Sequence, residues 1–203
     1  MRAFSRWILV AAAVGMVAAC GPKGGASAGA DSGDMTLGDP KAKVTVVEYA
    51  SVTCTHCAAF NEQVWPAFKA KYVDTGKVNY VFKEFLTPPE SVAAAGFLLA
   101  RCAGKDKYFG VIDALFHSQT ELFTTGDARG MLFRVGRGAG MTDDKITACI
   151  QDEKTLAELR ARTDKAINQD KITGTPTFVI NGKQLSGEQS LAALDAAITP
   201  LLK

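Results

Sequence analysis

Five cysteines stand in this chain, and two of them, in Cys54-Thr55-His56-Cys57, are separated by only two residues. That spacing on a helix places both sulfurs in one turn, close enough to form and break a disulfide. A thiol at the first position meets the unpaired N–H groups and positive end of the helix, which favour the thiolate. His56 adds a donor, or a positive charge when protonated. A stabilised thiolate leaves readily and also stabilises the reduced pair, so the corresponding disulfide oxidises other thiols. Cys54 is therefore expected to titrate below about 6.

The other cysteines read differently. Cys102 shares a helical face with Val92, Ala95 and Leu99, and Cys149 shares one with Ile146 and Ile150. If Cys20 carries lipid and Cys54 and Cys57 are the redox pair, Cys102 and Cys149 remain, either bridged or as two separate buried thiols. An exported chain favours the bridge, which would add about 4 kcal/mol on the loop-entropy model. Zinc would call for a second close pair, and His117, beside Phe116, is the only histidine outside the motif. No metal and no other cofactor is expected. Gly136-Arg137-Gly138-Ala139-Gly140 has no strand before it and no Lys-Ser/Thr ending, so it reads as a helix-to-helix turn rather than a phosphate loop.

The first residues carry an address. Arg2 and Arg6 precede the apolar run Trp7 to Val17, which small residues follow up to Cys20. Residues 1–20 thus read as an export leader, too short in its apolar part to span a bilayer comfortably. Val17-Ala18-Ala19-Cys20 is similar to a bacterial lipobox, so Cys20 is the candidate for lipidation; ordinary cleavage after Ala28 is the alternative. Residues 21–35, rich in Gly, Ala, Ser and Asp, are expected to form a flexible spacer. The expected location is periplasmic, with the chain lipid-anchored to the envelope if Cys20 is modified. Net charge is only +2 with no basic run, which gives no footprint for nucleic acid.

The elements that must position the motif follow from periodicity. With 47% hydrophobic residues the chain carries enough apolar material for one core, here 36–203. Val44 to Tyr49 is a β-prone run suited to a strand covered on both faces. After the motif, Ala58 to Tyr72 is helical, with a kink expected at Pro66. Val78, Tyr80 and Phe82 alternate as a second strand ending at Thr87-Pro88-Pro89. Helical periods then run from about 90 to 171. Thr177 to Ile180 reads as a strand, Asn181-Gly182 as a hairpin turn into Lys183 to Leu185, and the end as an amphipathic helix.

In this order the chain resembles the DsbA-like family of thiol–disulfide oxidoreductases from about Met35 onward. The resemblance lies in Val47-Glu48-Tyr49 leading into the motif, in Val81-Phe82-Lys83-Glu84-Phe85, and in Gly174-Thr175-Pro176-Thr177-Phe178. It implies an α/β thioredoxin fold with a helical insertion domain, and a cis Thr175-Pro176 peptide that faces the sulfurs and binds substrate. It also implies that Glu48 is a buried acid relaying a proton to or from Cys57. The implied activity is disulfide formation in reduced exported proteins by a monomer, reoxidised by a membrane quinone-linked partner. Thr55 and Thr175 depart from the best-known oxidases, which carry Pro and Val there, and both adjoin the redox centre. A reductase or isomerase of the same fold, or an envelope lipoprotein that binds peptides without turnover, stay open as alternatives.

Overall fold

The computed structural model describes residues 29–203. Five strands form one mixed sheet: β1 (Met35–Gly38), β2 (Val44–Ala50), β3 (Val78–Glu84), β4 (Thr177–Ile180) and β5 (Lys183–Ser186), in the order β1-β3-β2-β4-β5. β2 and β3 run parallel and every other pair is antiparallel. β2 lies at the centre, with Val44, Val46, Val47, Tyr49 and Ala50 all buried. Such a strand must be apolar on both sides, and its sequence is.

The connection from β2 to β3 holds α1 (Thr55–Gln63), α2 (Trp65–Phe68) and a wider π-helical turn at Lys69–Val73. The expected kink at Pro66 is a full break. Proline has no N–H to donate and its ring crowds the preceding turn, so a new helix starts with Pro66 in its first residues. Six helices separate β3 from β4: α3 (Glu90–Cys102), α4 (Lys105–His117), α5 (Gln119–Thr125), α6 (Ala128–Gly138), α7 (Asp143–Ile150) and α8 (Glu153–Asn168). This is the helical insertion of a thioredoxin fold. α9 (Leu191–Ile198) and a 3-10 turn at Thr199–Leu202 follow β5. Asn181 and Gly182 both have positive φ, the backbone that a two-residue hairpin between β4 and β5 demands.

The sheet is covered on both faces. A large cluster joins Val46, Tyr80 and Phe82 to Phe60, Phe97, Leu99 and Leu194. A smaller one joins Val47, Tyr49, Val81 and Val179 to Ala166 of α8. β3 is therefore buried on both faces, although its sequence reads as half-exposed alternation. Even Lys83 is buried, its ammonium 2.7 Å from Asp31.

The upstream boundary also differs from expectation. Asp31 pairs with both Lys83 and Lys165, Asp34 lies 3.5 Å from Lys83, and the Gly33 carbonyl accepts from Arg101. Met35 then opens β1, antiparallel to β3 with Met35 opposite Phe82. The expected spacer thus includes residues fastened to the body, because ion pairs and an edge strand hold 31–35. Four residues, Met35-Thr36-Leu37-Gly38, are too few to show a strand period. Cys20 and the leader lie outside the described residues.

Candidate active site

β2 delivers the chain to the redox turn. Cys54 is the N-cap of α1 with extended backbone, and its carbonyl accepts from the N–H groups of Cys57 and Ala58, both at 3.1 Å. The turn is held from outside α1 as well. Gln119, at the start of α5, donates its side-chain amide to the carbonyls of Val52 (2.8 Å) and Cys54 (3.1 Å). Gly96 of α3 lies beneath, where an added Cβ would stand 2.9 Å from the Val52 side chain. The insertion therefore packs directly against the turn that carries the motif.

Cys54 and Cys57 are free thiols in unlike surroundings. Cys54 is half-buried at the helix end, and its titration is lowered to about 5. The largest cause is a hydrogen bond from the Cys57 thiol; burial opposes it, and Thr175 with the backbone N–H groups of Cys57 and His56 adds to it. Cys57 is fully buried and pushed well above the ordinary thiol value, first by burial and then by its bond to Cys54 and the nearby anions. One sulfur is thus a half-buried anion near neutrality and its neighbour a sealed thiol.

Thr175-Pro176 is a cis peptide, and the Cys54 thiol stands 3.3 Å from the Thr175 carbonyl. The Thr175 hydroxyl is buried without a partner while Cys54 is a thiol; a thiolate gives it an acceptor. Thr55 and His56 face solvent, and His56 Nδ1 lies 3.3 Å from Glu188 Oε2. On the protein side, Glu48 of β2 is sealed from solvent and accepts a 2.6 Å hydrogen bond from the Tyr80 hydroxyl. Burial raises Glu48 to about 8; the Tyr80 bond lowers it and the Cys54 charge raises it further. A small cavity of about 30 Å³, room for about one water, is lined by Glu48 and Tyr80 and reaches Asn61 and Asp113.

Cys102 and Cys149 are joined, linking the ends of α3 and α7. His117 is exposed at the end of α4 and bonds within its own helix to the Asp113 carbonyl. Among the described residues no group of three His, Cys, Asp or Glu is arranged to hold a metal. Three residues at the site escape the sequence reading: Tyr80, Gln119 and Glu188. Tyr80 had a signal, since the alternation of β3 puts it on the inner face, opposite Val46. Gln119 and Glu188 had none, because they reach the motif from 65 and 132 residues away.

The family pattern described as thioredoxin matches residues 30–199. A Rickettsia bellii (strain RML369-C) protein, provisionally named a protein-disulfide oxidoreductase, is 35% identical over 83% of this chain and 64% of its own length. The chain thus spans less than two thirds of that relative. The crystal structure of Wolbachia pipientis alpha-DsbA1 superposes with a TM-score of 0.79 at 30% identity, covering 86% of this chain and 93% of that one. A protein-disulfide isomerase structure from Novosphingobium aromaticivorans gives a TM-score of 0.73 at 26% identity, over 84% and 98% of the two chains. The chain belongs to the DsbA-like branch of the thioredoxin superfamily.

Proposed function

We propose that this protein is a thiol–disulfide oxidoreductase that introduces disulfides into exported proteins through Cys54 and Cys57. The observation that carries the reading is the asymmetry of the pair: Cys54 low at about 5 and half-exposed, Cys57 raised and buried. At pH 7 a value of about 5 leaves roughly a hundred thiolates per thiol at Cys54. The reduced form is thereby favoured and the disulfide is oxidising.

In the oxidised enzyme a substrate thiolate attacks the Cys54 sulfur, the Cys54–Cys57 bond breaks, and Cys57 leaves and takes a proton. Glu48, high enough to hold a proton near neutrality, is the donor. A second substrate thiolate then attacks the substrate sulfur of the mixed disulfide and expels Cys54 as a thiolate. Two electrons pass from substrate to the cysteine pair. The two substrate thiols give up both their protons to solvent; Glu48 passes its own proton to Cys57 and regains one from solvent, so one proton is released net. The Thr175-Pro176 segment, 3.3 Å from Cys54 at its carbonyl, is positioned to hold an extended substrate backbone. Turnover calls for a reoxidising partner, for which a membrane quinone-linked oxidase is the proposed class.

Reduced and scrambled substrates separate the possible directions of exchange. Oxidation of a reduced dithiol protein, lost in Cys54→Ser, is the expected result. Rescue of scrambled substrate without oxidation of reduced substrate would instead assign an isomerase or reductase, and unchanged cellular function in Cys54→Ala a peptide binder. The site of action is proposed as the periplasm, with Cys20 as a lipid anchor. No helix among the described residues is long and apolar enough to cross a membrane. Cys20→Ala is expected to move the protein from the membrane fraction to the soluble one.

A further inference from the structure

His56 is the one motif side chain able to bring a positive charge to the Cys54 thiolate, yet the bond its ring makes is to Glu188. It stands 72% exposed, with Nδ1 against Glu188 Oε2 at 3.3 Å. What Cys54 receives from His56 is the backbone N–H. Glu188 occupies the loop between β5 and α9, and that loop is well secured. The Gly187 N–H donates to the Pro176 carbonyl at 2.9 Å, so the loop is fastened to the same segment that faces the sulfurs. The Gln189 amide bonds the Ser186 and Gly187 carbonyls, and the Ser190 hydroxyl caps α9 at Ala193. Gly187 itself has positive φ, a backbone that L side chains rarely adopt, so the turn presenting Glu188 is specified by sequence.

A cation within a few ångströms of a thiolate lowers its titration and makes the matching disulfide more oxidising. A histidine paired to a carboxylate and turned outward supplies much less of that field. The charged group bonded to the His56 ring is Glu188, from the loop after β5; a thiolate at Cys54, in the same turn as His56, would compete with it for one imidazole.

We propose that Glu188 is a positioning residue that holds the His56 ring away from Cys54 and so moderates the oxidising strength of the Cys54/Cys57 pair. The proposal rests on the reading of those cysteines as an exchanging couple. It gives the loop between β5 and α9 a part in setting the redox balance, although that loop contributes no sulfur and no proton to the exchange.

The test uses the full chain with Glu188→Ala, Glu188→Gln and His56→Ala, singly and combined. Each is equilibrated with glutathione, and the Cys54 thiolate is titrated by its ultraviolet absorbance. Glu188→Ala frees the ring. The expected result is a Cys54 midpoint lower by about half a pH unit. The reduced form should gain about threefold against glutathione, about 14 mV at roughly 30 mV per tenfold. Glu188→Gln keeps the shape and a hydrogen bond without the charge, and should fall between. In the His56→Ala background the Glu188→Ala shift should vanish. A midpoint that stays or rises in Glu188→Ala overturns the proposal. So does an equal shift with and without His56, which would mean direct repulsion between Glu188 and the thiolate. Absence of any exchange by the unaltered chain would sink the oxidoreductase reading itself, whereas exchange without a His56-dependent shift sinks this inference alone.

Discussion

Glu84 and Glu48 lie on adjacent strands, both only 2% exposed, but their surroundings differ in kind. Glu84 ends β3 where the helical insertion docks. It receives Arg101 from α3 at 2.7 Å, Arg162 from α8 at 2.8 Å and the Tyr108 hydroxyl from α4 at 3.0 Å. Three helices are thus fixed to the sheet by one carboxylate whose charge is matched by two guanidinium groups. Glu48 has a phenol and no cation, and burial lifts it to about 8. The same residue type serves as a fastener in one place and, on the proposed mechanism, as a proton store in the other. What separates the two is which side chains arrive from distant helices, since a buried carboxylate is charged at a cost unless a cation meets it.

The sharpest break of that contrast is to neutralise each acid. Glu84→Gln should cost about 3–5 kcal/mol, because two guanidinium groups lose their counter-charge in a partly buried seam. A denaturant titration reads this, and a loss no larger than that of Glu48→Gln would erase the distinction. Glu48→Gln should fold. It should slow departure of Cys57 as the mixed disulfide with Cys54 forms, by on the order of 10²-fold, at the low end of what a positioned acid contributes. Stopped-flow trapping of the mixed disulfide measures it, and an unaltered rate would remove Glu48 from the chemistry.

Stability against pH sharpens the contrast further. The folded value of Glu48 lies above its unfolded one, so the stability from its protonated form is complete below about 4.5 and is lost as pH rises through about 8. Glu48→Gln should abolish that alkaline loss, which is on the order of 5 kcal/mol at most. Cys54 behaves oppositely. Its depressed value stabilises the reduced fold fully above about 9, and the gain disappears as pH falls through about 5. Thermal unfolding of the reduced protein across that range should show the acid-side loss, and Cys54→Ser should remove it.

A smaller effect is expected at the join between the two regions. Gln119→Ala should cost about 1–2 kcal/mol, since the carbonyls of Val52 and Cys54 each lose a donor. It should also broaden hydrogen-exchange protection loss at the start of α1. Full retention of protection there would mean that the insertion does not steady the redox turn.

Much of this site was legible because it is local. Cys54 and Cys57 share one turn, Glu48 lies six residues upstream on a strand whose apolar neighbours announce burial, and Asn181-Gly182 declares its hairpin. The fold class followed from the order of such local signals joined to the family resemblance. What sequence could not supply was pairing across the molecule. Nothing in Arg101 and Arg162 marks them as partners of one glutamate, and Gln119 sits at a helix junction with no period to point it at Cys54. The acidic residues 31 and 34 read as tether because composition reports low burial potential, whereas two lysines elsewhere in the chain decide where they rest. Local chemistry is written in order along the chain, while long-range complementarity emerges only once the core has set which surfaces meet.

The fastening of Asp31 to Lys83 and Lys165 has a mechanical consequence. A pull exerted on the body by anything upstream of residue 29 is first borne by β3 and α8, through that anchorage and the β1 edge. The turn bearing Cys54 continues from β2, the strand next to β3, so such a pull would reach the sulfurs through the ladder that pairs Tyr49 with Lys83.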